Sequence, residues 1–129
     1  MQMNIYQALV RNTAIYPREH SIIYPALGLA GESGEVCEKI KKYLRGDYTL
    51  SDEEKIEELE KEIGDVLWYL ANLASDLHLS LEDIANMNIE KLQDRKNRNV
   101  LKGEGDNRWA KHGKNIEREW KNLRKKGRN

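Results

Sequence analysis

Residues 56–77, IEELEKEIGDVLWYLANLASDL, decide the fold. Ile56, Leu59, Ile63, Val66, Leu67, Leu70, Leu73, Ala74 and Leu77 recur every three or four residues, the period of a helix with a wide apolar face. Ser51 with Glu54 three residues on is a capping-box start, and the stretch ends near His78. Upstream, PALGLAGESGEVCEKIKKYL (25–44) has the same period. Leu29, Val36, Ile40 and Tyr43 or Leu44 line its inner face, Pro25 suits a first helical turn, and Gly46 is its stop. Asn4 to about Ile15 forms an earlier helix with Tyr6, Leu9, Val10 and Thr13 in register, closed by Tyr16-Pro17. Ser80 with Asp83 opens a fourth helix, lined inside by Leu81, Ile84, Ala85, Met87 or Asn88, and Leu92. Residues 97–108, NRNVLKGEGDNR, have two glycines and no period, and read as a loop. Trp109, Ile116, Trp120 and Leu123 then recur at helical spacing in a basic C-terminal helix. The expected fold is all-α, an antiparallel bundle of four to five helices. The short connection at about 46–51 pairs the second and third helices as a hairpin.

A chain of 129 residues is expected to form one domain, here residues 1–108, with residues 109–129 as a basic helix or tail. The body holds 14 Lys/Arg against 20 Asp/Glu, and the tail 8 against 2. Such a tail can meet nucleic acid or dock on the acidic body. Cys37 is the single cysteine, which excludes an internal disulfide and fits a reducing cytoplasm. No apolar run approaches the roughly 20 residues of a membrane span, and the N-terminus does not read as a signal peptide. The apolar faces are wide for so short a chain, and association with a second copy is expected to cover them.

Two acidic pairs carry the chemistry. Glu32 and Glu35 stand three apart on the second helix, and Glu62 and Asp65 three apart on the third. Each pair shares a helix face, with Cβ atoms roughly 5–6 Å apart. On the second helix Gly28, Glu32, Glu35 and Lys39 form one edge; on the third, Glu58, Glu62, Asp65 and Tyr69 do. An antiparallel hairpin sets these edges face to face. Two carboxylates about 4 Å apart repel by about 4 kcal/mol at an effective dielectric near 20, and a hard divalent cation relieves that repulsion. None of His20, His78 or His112 follows a Glu by three residues, so the Glu-x-x-His of di-iron bundles is absent. An all-oxygen donor set favours Mg²⁺ or Mn²⁺ over redox iron. Glycine inside a helix costs about 1 kcal/mol against alanine, so Gly31, Gly34 and Gly64 beside the acids suggest close approach by another backbone or a ligand.

At these residues the chain resembles the MazG-like nucleotide pyrophosphohydrolases of the all-α NTP pyrophosphatase superfamily. That family's pattern is Glu-Glu-x-x-Glu, a variable gap, then Glu-x-x-Asp. AGESGE supplies Glu32 and Glu35, and EIGD supplies Glu62 and Asp65, while Gly31 stands at the pattern's first Glu. The missing acid bears on the metal count, with Glu38 as the nearby carboxylate to which a role could pass. The resemblance covers roughly residues 24–108. It implies Mg²⁺-dependent cleavage of a nucleoside triphosphate to the monophosphate and pyrophosphate, in a nucleotide-pool housecleaning role. It also implies a homodimer or homotetramer. On this likeness Glu32, Glu35, Glu62 and Asp65 are the metal ligands. One of Glu32 and Glu35 activates the attacking water, with Glu35 favoured. Tyr69, Asn88 and Lys91, with Arg95 behind them, are the substrate-phosphate contacts.

Two rivals follow from the same residues. A sister enzyme of the superfamily, dUTPase-like or acting on phosphoribosyl-ATP, would have a similar carboxylate cage. A non-enzymatic helical adaptor would keep the scaffold and bind nucleic acid through the basic tail.

Overall fold

The computed structural model describes residues 1–103; the expected basic helix with Trp109, Ile116, Trp120 and Leu123 lies outside them. Among the described residues the chain is all-helical. Helices α1 (Met3–Arg11), α2 (Ile23–Leu44), α3 (Glu53–Asp76) and α4 (Leu81–Asn97) follow in order, with one 3-10 turn at Arg18–His20 between α1 and α2. Residues 1–84 form one compact unit, and a second begins at residue 85, within α4. No described helix is long and apolar enough to cross a membrane.

In the first unit α2 and α3 form the main helix pair, and α1 packs on α3. The hairpin register runs through named contacts. Gly28 meets Tyr69, Glu32 meets Asp65, and Lys39 meets Glu58. As one partner climbs its helix the other descends, which is the antiparallel pairing the two edges required.

The helix ends follow local chemistry. Gly46, at φ +88°, ends α2 in a Schellman motif: its N–H donates to Tyr43 O at 2.9 Å and that of Asp47 to Lys42 O at 3.1 Å. His78, at φ 56°, closes α3 in the same way, with N–H donors of His78 and Leu79 on Ser75 O (3.0 Å) and Ala74 O (2.8 Å). The start of α3 differs from the capping box expected at Ser51. Asp52 is the cap, accepting from Lys55 N at 3.3 Å, while the Ser51 hydroxyl pairs with Thr49. A carboxylate gains more than a hydroxyl at a helix N-terminus because of the helix dipole. Helix α1 stops at Arg11, short of the expected Ile15, and residues 12–22 cross back as turns.

Side chains of α1 complete the start of α4. Gln7 Nε2 donates to Ser75 Oγ (3.0 Å) and Leu79 O (2.8 Å), while its Oε1 accepts from Leu81 N (2.8 Å). Asn4 Oδ1 accepts from Ser80 Oγ at 2.9 Å, and Ser80 Oγ caps Asp83 N at 3.1 Å, as the Ser80/Asp83 spacing predicts. Leu81 and Ala71 are fully buried beside Ala74 and the buried Asn72.

That closed core is small. Ile63 and Leu67 on α3 keep 53% and 37% of their surface exposed, and Ile5 and Leu9 on α1 keep 50% and 53%. The apolar stripe read from residues 56–77 is wider than the described residues cover.

Candidate metal centre

Helices α2 and α3 converge carboxylates. One oxygen each from Glu32, Glu62 and Asp65 lie within 4.8 Å of one another. Glu32 and Glu62 are half-buried and Asp65 is exposed, so the group opens to solvent on one side. Burial pushes the Glu32 carboxyl above its ordinary range, and the charges of Asp65, Glu62 and Glu35 and a hydrogen bond with Glu62 push it further. The scaffold thus holds like charges together around Glu32. Three hard oxygen donors on two rigid helices fit Mg²⁺ or Mn²⁺.

Glu35, expected as a fourth member, lies outside this group of three. It is exposed one turn beyond Glu32 and adds its charge to that residue. Glu38, the compensating acid considered for Gly31, is paired with Lys41, which lowers its pKa. A Cβ built at Gly31, Gly34 or Gly64 would meet nothing within 4 Å, so no part of the described chain makes the close approach those glycines suggested. Gly28 makes it instead: a Cβ there would fall 2.1 Å from Tyr69 Cε1. The aromatic ring needs the space that only glycine leaves one turn before Glu32.

Tyr69 is thereby seated next to the acids. Burial raises its pKa, and Tyr24, Glu32 and Asp65 add to the rise. It belongs to an aromatic cluster. Trp68 meets it edge-on at 4.9 Å, Tyr24 lies 6.4 Å away, and Tyr16 stacks on Tyr24 at 4.8 Å. Sequence spacing placed Tyr69 on the acidic edge, but Tyr16 comes from the irregular segment before α2 and has no periodic signal. Asn88, Lys91 and Arg95 lie on α4 in the second unit. Their spacing puts them on one helix face; Asn88 is exposed, Lys91 half-buried and Arg95 7% exposed.

Lys39 was legible only as a member of the α2 edge. In the structure its ammonium bridges Glu58 and Glu62, 3.4 Å from an oxygen of each. A cation therefore stands directly beside the acidic group.

Helical hairpin, acid triad and aromatic flank have a counterpart in known proteins. The MazG nucleotide pyrophosphohydrolase domain matches residues 22–100. The chain belongs to this family. The match takes in α2, α3, α4 and every candidate site residue. Among curated relatives, the Gene 37 protein of Mycobacterium phage L5 is 41% identical over 114 residues, spanning 84% of this chain and 100% of that protein. No solved structure matches.

Proposed function

We propose that this MazG-family chain is a Mg²⁺-dependent nucleoside triphosphate pyrophosphohydrolase, with Mn²⁺ as an alternative ion. Its substrate is a ribo- or deoxynucleoside triphosphate and its products are the monophosphate and pyrophosphate. The observation that carries the reading is the convergence of Glu32, Glu62 and Asp65 within 4.8 Å across two helices. A triphosphate is strongly anionic, and carboxylates alone would repel it. When bound, Mg²⁺ would supply charge neutralisation and polarise the phosphoryl oxygens.

Glu32, Glu62 and Asp65 hold the ion in this scheme, with Glu35 at the exposed rim. Glu35 accepts a proton from the attacking water while the anhydride bond between the α- and β-phosphates breaks. Pyrophosphate leaves with the bonding electrons. The Tyr69 hydroxyl borders the acids and contacts the substrate. Asn88, Lys91 and Arg95 supply donors and positive charge for the phosphate chain. The exposed Ile63, Leu67, Ile5 and Leu9 support a homodimer or homotetramer, since a second copy would cover them. The single unpaired cysteine supports a cytoplasmic setting.

A panel of common and damaged nucleoside triphosphates, assayed with Mg²⁺ or Mn²⁺ and product analysis, tests this reading. Monophosphate with pyrophosphate is the expected outcome. Diphosphate with orthophosphate, or no turnover of any member, would overturn it.

A further inference from the structure

Lys39 stands two turns beyond Glu32 on the face of α2 that meets α3. Its Nζ lies 3.4 Å from Glu58 Oε2 and 3.4 Å from Glu62 Oε1. Lys55 holds the other Glu58 oxygen at 2.8 Å. Glu62 is also one of the three converging acids. Its carboxylate is thus shared between an internal ammonium and the proposed metal centre.

In two-metal phosphoryl-transfer centres the ions stand about 3.5–4 Å apart and clamp the attacking and leaving oxygens. A second ion here would have to share an acid of the cage and find further carboxylates next to it. Glu58 and Glu62 are such a pair, and Lys39 already lies between them. On the opposite flank, among the described residues, the one unpaired acid near Glu32 is Glu35, which the proposed reaction uses to take the proton of the attacking water. Position 31 is glycine with no described residue within 4 Å of where a Cβ would stand, and Glu38 is paired with Lys41.

We infer that the centre takes one divalent ion per chain, and that the Lys39 ammonium is a resident cation in the place of a second. This rests on the metal reading of Glu32, Glu62 and Asp65. Lys39 is a positioning residue. It neutralises the Glu58 side, holds Glu62 by one oxygen, and repels another cation from that flank.

The test is Mn²⁺ titration of the full chain without nucleotide, with free ion read by electron paramagnetic resonance and Mg²⁺ binding by calorimetry. The parent protein should take up one ion per chain. Lys39→Met, which keeps the apolar stem and removes the charge, should take up a second. Lys39→Arg should restore a stoichiometry of one, which a purely structural role for the side chain would not require. Lys39→Gln is the second neutral variant if circular dichroism shows the Met variant unfolded, and it too should bind two ions. Two ions on the parent chain, or one on a folded neutral variant, would overturn the role of Lys39 while leaving the cage intact. No ion on the parent chain would overturn the cage and the inference together. Hydrolysis measured in parallel then shows separately whether the enzymatic reading stands.

Discussion

Helix α3 carries two acidic sites three turns apart, and they are built in opposite ways. Asp76, near its C-terminal end, has a side chain only 1% exposed. Burial alone would push its pKa up. The Ile22 N–H at 3.0 Å, the Tyr16 hydroxyl at 2.8 Å and the Arg11 guanidinium at 2.8 Å outweigh that and hold it below the ordinary range. Glu62 and Asp65 are less buried, yet they face Glu32, whose pKa is pushed up by burial and by its acidic neighbours. What distinguishes the two sites is the inventory of partners and not depth. Asp76 is charge-balanced by Arg11 and hydrogen-bonded through Oδ2, so it reads as structure. The triad gathers three acids with Lys39 touching only its Glu62 member, so it reads as waiting for a ligand.

The Asp76 site also holds a strained turn. Ile22 has φ 71° and ψ −54°, and Ile23 N donates to Ser21 O at 2.8 Å, a γ-turn that β-branched residues avoid. The Ile22 N–H is the one Asp76 accepts. This buried, ion-paired carboxylate thus fixes how the chain enters α2, and with it the register that brings Glu32 opposite Asp65.

The sharpest way to break the comparison is Asp65→Asn against Asp76→Ala. Metal-ion stabilisation of phosphoryl oxygens is worth several kcal/mol, so Asp65→Asn should lower pyrophosphate release on the order of 10³-fold with helicity intact. Retained turnover would remove Asp65 from the site. Asp76→Ala should lower the unfolding free energy by about 3 kcal/mol in urea melts, because Arg11, Tyr16 and the Ile22 N–H lose a shared acceptor.

Smaller effects sharpen it. Gly28→Ala has to displace the Tyr69 ring, and overpacking should exceed the gain in helix propensity for a net loss of about 1 kcal/mol. Gly31→Ala meets nothing among the described residues and should instead gain about 1 kcal/mol by the same propensity. Equal responses in thermal melts would contradict the Gly28–Tyr69 contact.

Acid titration of the metal-free protein should show slopes of opposite sign. The lowered pKa of Asp76 means its stabilisation is complete above the unfolded value of about 3.9 and is lost as pH falls through the folded value. The raised pKa of Glu32 means the cage is relieved on protonation, so stability falls as pH rises from about 4.3 through its folded value. Saturating Mg²⁺ should flatten the second slope and leave the first. A Mg²⁺-independent profile across both windows would argue against the triad as a metal centre.

Periodicity alone defined α2, α3 and the α4 start, because apolar spacing and turn residues act over one or two helical turns. The i,i+3 acids and the two facing edges were legible for the same reason. The starts and stops were less so. Ser51 and Asp52 are adjacent candidates for one cap, and only the backbone geometry selects between them. Gln7 and Asn4 as caps of a helix more than 70 residues away carry no local signal at all.

Sequence by itself determined that this is a helical chain with five acids and a lysine on two edges. Tertiary structure decided which of them meet. It gathered Glu32, Glu62 and Asp65, left Glu35 at the rim, and set Lys39 against Glu58 and Glu62. Helical period fixes the direction of a side chain around its own axis, whereas contact between helices depends on their mutual register. That register is set by distant groups such as Asp76 and Ile22, whose coupling no local pattern records.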